Sequence, residues 1–471
     1  MKLKQYTQYK ELDFPWINEI PKGWEIFRAK YLFKQIDIRS SNGEEELLSV
    51  SERYGVTPRK NVNVTMFKAE SYRGYKLCWP GDLVINSLWA WMQGLGFSKY
   101  HGIVSTAYGV YRLKDFYKIH YKYFDYLFRS STYLWELRVR SKGIWRSRYQ
   151  LTDDAFMTMP VIVPPKYEQK QIVKFLDFKC GKIAKFIRNK RSLIKLLKEQ
   201  KQAIINQVVT KGINSHAKMK PSGVEWIGNI PEHWQYFKLK RLVQFNPSKS
   251  ELGNEVKMSD RVVFLPMEAV SIDGKIKCIY KYELSEIWNG FTYFKRGDVV
   301  IAKITPCFEN GKGAYLEKLE TSFGFGTTEF IVIRPTKKIR GDFLYYVTMN
   351  SKFRKDGEEI MTGAAGQKRV STDFVKNYII ALPLTDEQDQ IVKYIKKKLE
   401  GVDYLIEKTK HQIELIQEYS TRLISDVVTG KVDVRDVKIQ DAADKKLLDE
   451  IDASEEIGEN GNDIKEVPDG N

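Results

Sequence analysis

The chain has 471 residues and a formal net charge of +17, with 77 Lys and Arg against 60 Asp and Glu. This length is enough for two or more globular domains, and the basic balance favours a polyanionic partner, most commonly nucleic acid. Four scattered cysteines and five histidines match no metal-ligand spacing, so no metal site is expected, and the lack of a long apolar run or signal peptide predicts a cytoplasmic protein.

The first predicted domain covers residues 14–165, which are rich in aromatic side chains. Short apolar runs bounded by glycine and proline, such as residues 82–85 and 161–163, read as strands. Residues 121–136 read as a helix. This first domain is therefore predicted to be mixed α/β.

A long helix is predicted directly after it, over residues 166–212, because the apolar residues now recur at spacings of three, four or seven. Such spacing is typical of a coiled-coil seam, and a seam of roughly 37 residues, or about 55 Å of helix, is too long to be covered by its own small domain. A core helix of a bundle is the alternative. The predicted first seam consists of Ile172, Leu176, Ile183, Ile187, Ile194, Leu197, Ile204 and Val208.

The second half of the chain repeats this order. A linker over 213–221 leads into a second domain, 222–384, which has matching apolar runs and a predicted helix over 342–354. A second long helix occupies 385–430, and the acidic tail, 431–471, is predicted to be disordered because it is polar and poor in aromatic residues. The second seam consists of Ile391, Ile395, Val402, Ile406, Ile413, Ile416, Leu423 and Val427.

The two halves are copies of one design. The pattern Trp-Ile-x-x-Ile-Pro-x-x-Trp at 16–24 returns at 226–234, and Glu-Gln-x-x-Ile at 168–172 returns at 387–391. A period of this length indicates domain duplication. We predict an α+β fold in which two mixed α/β domains form a pseudo-two-fold repeat. Each domain is followed by a long helix, and the two helices form an antiparallel coiled coil.

No catalytic constellation is evident in the sequence. Asn246-Pro247-Ser248 lacks the second proline and the aromatic residue of an amino-methyltransferase loop, and no Gly-x-x-x-x-Gly-Lys-Ser/Thr phosphate loop occurs. Asp82 and Asp298 follow glycine at matching positions, where a tight turn explains them better than a nuclease metal site does. The chain alone is therefore predicted not to be an enzyme.

If the chain reads DNA, the contacting residues should be polar, basic or aromatic and should lie on loops. They should also differ between the two copies if each copy reads a different sequence. Such residues cluster in two stretches of each domain, and these stretches correspond between the domains. The second stretch of each domain contains a basic loop with glycine. Phosphate or structural roles are the alternative for each of them. The candidates are Trp91, Gln93, Lys99, Tyr100, Arg138, Arg140, Lys142, Arg146 and Arg148 in the first domain, and Lys303, Asn310, Lys312, Lys352, Arg354, Lys355, Gln367, Lys368 and Arg369 in the second.

The repeated motifs, and the ending Val-Val-Thr-Gly-Lys-Val-Asp-Val-Arg at 427–435, resemble the DNA specificity subunits of type I restriction-modification enzymes from Phe14 to Arg435. The resemblance implies two target recognition domains that read the halves of a bipartite, asymmetric double-stranded DNA sequence. It implies spacer helices that dock two methyltransferase (modification) subunits, with restriction and translocase subunits joining through the complex. S-adenosylmethionine, ATP and Mg are then expected on these partners, and no cofactor on this chain. The chain would be required for methylation and cleavage without catalysing either.

A different class of function stays open. Two protein-binding domains displayed on a coiled coil would make an adaptor protein without DNA specificity. Binding to duplex DNA that weakens steeply with salt discriminates the two hypotheses, because phosphate contacts release counterions and an adaptor makes none.

Overall fold

The computed structural model describes residues 4–52, 54–61, 70–114, 120–144, 148–277, 280–364 and 366–439. The chain divides into two compact units. The first unit is formed by Met1–Lys190 with Lys410–Asn471, and the second by Arg191–Thr409. Both long helices pass from one unit into the other, so each unit combines a globular part with a segment of each helix. Residues 440–471 of the predicted disordered tail lie outside the described ranges. Residues 431–439 are described, and Val434 is fully buried in the core of the first unit, so the prediction of disorder was wrong for this part of the tail.

The globular part of the first unit is built of short strands and short helices. Its central sheet has four antiparallel strands in the order β4-β11-β8-β9, and β12 pairs with β3 beside it. The strands are β1 (Tyr9–Phe14), β2 (Ile17–Pro21), β3 (Glu25–Arg28), β4 (Phe33–Gln35), β5 (Leu48–Ser51), β6 (Gly55–Pro58), β7 (Lys76–Cys78), β8 (Asp82–Asn86), β9 (Leu95–Phe97), β10 (Gly102–Val104), β11 (Tyr108–Leu113) and β12 (Pro160–Val163). The helices are α1 (Ala29–Leu32), α2 (Tyr121–Phe128), α3 (Ser131–Arg140) and α4 (Asp153–Met157).

The globular part of the second unit repeats this plan and adds a second sheet. The order β16-β23-β20-β21 corresponds to the central sheet of the first unit, and a mixed sheet has the order β18-β17-β22-β19. The strands are β13 (Met219–Pro221), β14 (Asn229–Pro231), β15 (Gln235–Lys238), β16 (Val243–Phe245), β17 (Arg261–Leu265), β18 (Tyr280–Glu283), β19 (Thr292–Lys295), β20 (Val299–Ala302), β21 (Gly313–Tyr315), β22 (Phe323–Gly326), β23 (Phe330–Pro335) and β24 (Ile379–Leu382). The helices are α6 (Leu284–Ile287), α7 (Gly341–Thr348), α8 (Ser351–Glu359) and α9 (Thr372–Asn377). The mixed α/β fold class is confirmed.

The stretches predicted as helical over 121–136 and 342–354 are helical, but each is divided into two helices. Between α2 and α3, the Ser130 side chain accepts a hydrogen bond from the backbone of Tyr133 and caps a new helix. Between α7 and α8, the Asn350 side chain accepts from Lys352 N at 2.8 Å. Serine and asparagine are preferred N-caps because their side chains satisfy backbone donors that a helix start leaves without partners. The apolar periodicity continues across both breaks and therefore hides them.

The two long helices are α5 (Lys166–Lys211, 46 residues) and α10 (Thr385–Val428, 44 residues). In the second unit they run antiparallel, because Leu197 clusters with Ile406 while Lys201, one turn further along, pairs with Asp403 at 2.6 Å. In the first unit, the beginning of α5 and the end of α10 contribute to one apolar core. Of the sixteen predicted seam positions, ten are buried and six are half-buried. Apolar spacing therefore marks the packed face along both helices.

The repeated sequence motifs contact one another in each unit. In the first unit, Trp24 Nε1 donates to Glu168 Oε2 at 2.8 Å, and in the second, Trp234 Nε1 donates to Glu387 Oε2 at 3.0 Å. The first contact is supplemented by Tyr6, whose hydroxyl donates to the same oxygen of Glu168 at 2.8 Å. Burial and the Glu168 carboxylate raise the pKa of Tyr6, so its hydroxyl stays protonated and can donate. The opening and closing motifs thus anchor each globular part to a long helix.

Candidate nucleic-acid interface

The β8–β9 loop of the first unit, residues 87–94, presents an aromatic pair. Trp89 and Trp91 stack with ring centroids 6.3 Å apart, and Trp89 is 46% exposed. Gln93 has a φ of 58° and donates from Nε2 to the carbonyl oxygens of Arg129 and Ser130 at 2.9 and 3.1 Å. The amide of Gln93 therefore holds the loop against the residues that precede α3, whereas the tryptophans face outward.

Two candidate stretches that are distant in sequence meet beside this loop. The first basic segment, residues 142–150, is described at 142–144 and 148–150, and at its end Leu151 N donates to Ser87 O at 2.9 Å. Arg138 of α3 donates from Nε to the Trp91 carbonyl oxygen at 3.2 Å. The loop and the basic segment consequently form one continuous surface of the first unit.

The second unit assembles the same parts with different side chains. The β20–β21 loop, residues 303–312, corresponds to the β8–β9 loop, and the second basic segment, residues 362–369, corresponds to the first. Val370 N donates to Lys303 O at 2.9 Å, in the place of the Leu151 to Ser87 bond. The frame of the surface is therefore repeated, while the residues on it are not.

Glu329 holds the second basic segment in place, and the sequence did not predict this role. Arg369 donates from Nε and Nη2 to the Glu329 carboxylate at 2.9 to 3.2 Å, and these hydrogen bonds lower the pKa of Glu329 below its usual value. The backbone of Glu329 also accepts from Lys303 N at 2.9 Å. The partners are 40 residues apart, so no local pattern could have identified the pair.

Most of the candidate DNA contacts lie on the surface. Those that are exposed are Lys99, Arg138, Lys142, Arg148, Asn310, Lys352, Lys355, Gln367, Lys368 and Arg369. Those that are half-buried are Trp91, Gln93, Tyr100, Arg140, Lys303 and Lys312. Arg146 lies outside the described residues. Several members are engaged within the protein, since Arg140 pairs with Glu136 and Lys312 Nζ donates to Met267 O at 3.1 Å.

Arg354 is not a surface residue, so its prediction as a direct DNA contact was wrong. Its residue exposure is 7%, and Nη1 donates to the Phe308 carbonyl oxygen at 2.9 Å. Burial lowers the pKa of Arg354 to about 10, which leaves the guanidinium charged at neutral pH. The sequence placed it among exposed lysines because alternating burial on a short helix is not visible from charge alone.

The aspartates that follow glycine are structural. Asp82 accepts a backbone hydrogen bond from Trp79 in the preceding turn and a bidentate pair from Arg112 at 2.7 and 2.8 Å. Asp298 repeats this arrangement with Arg334, at 2.7 Å for both bonds. Each carboxylate thus fixes a turn to the central sheet.

The methyltransferase-like Asn246 is also structural, because its side chain accepts from Val332 N at 2.9 Å. Among the residues that the structure describes, no group of three or more His, Cys, Asp and Glu is placed to hold a metal ion. Within the same ranges, no helix combines the length and the apolar character needed to span a membrane.

The comparisons with known proteins point to one family. Residues 231–415 match the type I restriction modification DNA specificity domain. The chain is 32% identical over 244 residues to the type I restriction enzyme EcoAI specificity subunit of Escherichia coli, covering 49% of this chain and 39% of that protein. It is 34% identical over 201 residues to the EcoEI specificity subunit of the same organism, covering 42% and 33%. The matched part thus spans about a third to two fifths of these relatives. The MjaVIII specificity subunit of Methanocaldococcus jannaschii is 29% identical over 291 residues, covering 60% and 64%.

A solved structure supports the fold. A chain from a study of complex assembly and conformational transition of the type I R-M system superposes with a TM-score of 0.61 at 14% identity, covering 88% of this chain and 99% of that one. The resemblance predicted from the repeated motifs is therefore confirmed: the chain is similar to the specificity subunits of type I restriction-modification enzymes, and residues 231–415 match the DNA specificity domain of that family.

Proposed function

We propose that this chain is the specificity subunit of a type I restriction-modification complex and that it reads a bipartite, asymmetric DNA sequence. The observation that carries the proposal is the surface found in each unit, where a strand-connecting loop is joined to a basic segment by an equivalent backbone hydrogen bond. The frame of the two surfaces repeats while their side chains differ. Two such surfaces with unlike side chains suit two unlike half-sites.

The chemistry of the exposed side chains suits base reading and phosphate binding. Asn310 and Gln367 can make the paired hydrogen bonds that recognise adenine in the major groove, and lysine and arginine suit guanine or phosphate. The first unit offers instead the tryptophan pair of the β8–β9 loop, together with Arg138 and the basic segment 142–150. One half-site is therefore expected to be read with more apolar contact than the other.

In this proposal the long helices act as spacer and as docking site. They continue from one unit into the other, so their length sets the separation of the half-sites, which we place about one turn of DNA apart or slightly less. They also keep large apolar side chains in solvent, including Leu196 (61% exposed), Tyr404 (64%), Leu415 (51%) and Tyr419 (48%). Exposed apolar side chains on a packed helix are suited to a protein partner.

We assign this docking role to two methyltransferase subunits, through which restriction and translocase subunits join in the cytoplasm. Methylation with S-adenosylmethionine and ATP-driven cleavage with Mg then belong to those partners, and this chain is required for both without catalysing either.

The test is methylome sequencing of a cell that expresses the chain together with its methyltransferase. One split motif with a fixed spacer is the expected result. If no motif depends on the chain, and the purified chain shows no salt-sensitive affinity for duplex DNA, the proposal fails and the adaptor hypothesis gains.

A further inference from the structure

The β20–β21 loop rests on a buried arginine. Arg354 of α8 donates from Nη1 to the Phe308 carbonyl oxygen at 2.9 Å, and its guanidinium lies 4.9 Å from the centre of the Phe308 ring. Its Nε and Nη2 have no hydrogen-bond partner within the described part of the chain, and the same is true of Glu309 Oε2. A buried charge with a single hydrogen bond costs stability and contributes little packing advantage, so its presence calls for a role other than core formation.

The ring of Phe308 is fixed from the other side as well. A Cβ at Gly357, one turn beyond Arg354, would lie 2.4 Å from the Phe308 ring, so the ring occupies a notch that only glycine leaves open. Phe353 completes the contact with its ring centre 5.8 Å away. The position of Phe308 is therefore determined by α8 through one hydrogen bond, one cation–π contact and one steric notch.

This anchor lies immediately before the exposed part of the loop. Asn310 follows Phe308 by two residues and is exposed, and Thr305 N donates to Lys368 O at 2.9 Å on the basic segment. A shift of the Phe308 carbonyl is consequently transmitted to Asn310 at the tip and to Lys368 beside it. Arg354 itself is too buried to touch DNA.

The first unit contains a corresponding contact made with different residues. Arg138, on the equivalent helix α3, donates to the Trp91 carbonyl oxygen at 3.2 Å, and Gln93 follows Trp91 by two residues. Arg138 lies one turn further along its helix than Arg354 does along α8. An arginine-to-carbonyl anchor thus recurs in the corresponding loop of the first unit, at a different helical position, which indicates a requirement of the loop.

We propose that Arg354 is a positioning residue for sequence reading. It holds the β20–β21 loop so that Asn310 and its neighbours meet the bases of the half-site read by the second unit. This inference rests on the proposed function, because it assigns to Arg354 a share in the specificity of that surface.

The experiment compares three variants of the full-length chain, co-expressed with its methyltransferase subunits. Arg354→Met removes the donor and the charge at similar volume, Arg354→Lys keeps a charge with a shorter reach, and Glu358→Gln removes an exposed charge one turn further along α8, outside the candidate DNA contacts. Each complex is incubated with a randomised duplex DNA library, and the selected sequences and the salt dependence of binding are measured. A thermal unfolding scan checks that each variant is folded.

For Arg354→Met we expect relaxed base preference in one half-site only, with discrimination against single-base changes reduced on the order of tenfold and the salt slope unchanged. Arg354→Lys should restore part of the preference. Glu358→Gln should leave base preference intact in both half-sites.

The inference is overturned if a folded Arg354→Met complex keeps its preference in both half-sites, or if both half-sites relax equally, as general destabilisation would cause. A reduced salt slope with unchanged preference would instead make Arg354 a phosphate contact. Should the methionine variant not fold, the lysine variant decides by the same criteria. Failure of the proposed function is distinct, because the wild-type complex would then select no motif at all.

Discussion

The buried carboxylate that joins each globular part to its long helix allows a prediction with an internal control. Glu168 is 3% exposed and accepts from Tyr6 and Trp24 on one oxygen, both at 2.8 Å. Its counterpart Glu387 accepts from the buried Trp234 and also contacts Nε2 of the exposed His233 at 2.8 Å, and the Glu387 side chain is 22% exposed. Replacing each glutamate with glutamine changes the charge while nearly preserving the shape.

The expected cost follows from the number of hydrogen bonds and their burial. A hydrogen bond to a charged group contributes about 1 kcal/mol more than one to a neutral group. Glu168→Gln weakens two such bonds in a buried site, so we expect a loss of about 2 kcal/mol in the stability of the first unit. Glu387→Gln weakens the tryptophan bond and the contact with the exposed His233, at a site that water partly reaches and screens, and we expect at most about 1 kcal/mol in the second unit.

The assay must resolve the two units, because a chain with two compact units need not unfold in one step. Hydrogen exchange measured by mass spectrometry reports the opening free energy of each segment separately. In Glu168→Gln, exchange should accelerate in β1 to β3 and the start of α5, and in Glu387→Gln in β14, β15 and the start of α10. Equal losses in both units, or no loss in the first, would refute the assignment of these glutamates as anchors of unequal strength.

Three further predictions follow from the helices and the basic segment. Leu197→Ala should destabilise the second unit by about 2 to 4 kcal/mol, because Leu197 is buried in the seam. The matched change Leu196→Ala should leave thermal stability nearly unchanged, and should weaken co-purification with the methyltransferase. Since Arg369 lowers the pKa of Glu329, the stabilisation from this pair is present above the usual glutamate pKa and is lost as the pH falls through the lowered value. Hydrogen exchange of residues 366–369 should therefore lose protection in acid in the wild type but show no such step in Glu329→Gln. Insertion of one helical turn, about four residues, into each long helix should lengthen the non-specific spacer of the methylated motif without changing either half-site; an unchanged spacer in the methylome would contradict the spacer role.

The sequence predicted best those features that depend on spacing along the chain. The sixteen seam positions follow from a period of three and four, and each of them is buried or half-buried. The repeat was visible for the same reason, because its two copies keep their motifs in order. Local spacing could not show the breaks at Ser130 and Asn350, where one capping side chain begins a new helix without interrupting the apolar pattern.

The candidate interface was predicted only in part, because its geometry depends on contacts between distant segments. Composition identified both basic segments, yet it could not show that Glu329 orients one of them from 40 residues away. Nor could it separate Arg354 from Lys355, since burial on a helix of nine residues is set by what packs against it. Charge indicated the right surface but not the role of each cation.

These roles explain which residues are the same in the two copies and which residues differ. Trp24 and Trp234 must each donate to a glutamate of a long helix, and Asp82 and Asp298 must each fix a turn by pairing with an arginine, so these residues are the same in both units. A carbonyl oxygen places a weaker demand on sequence, because every residue supplies one. The loops can therefore exchange tryptophans for a phenylalanine and an asparagine while an arginine still anchors the backbone behind them. Anchoring through the backbone leaves the loop side chains free to diverge, which is what two unlike half-sites require.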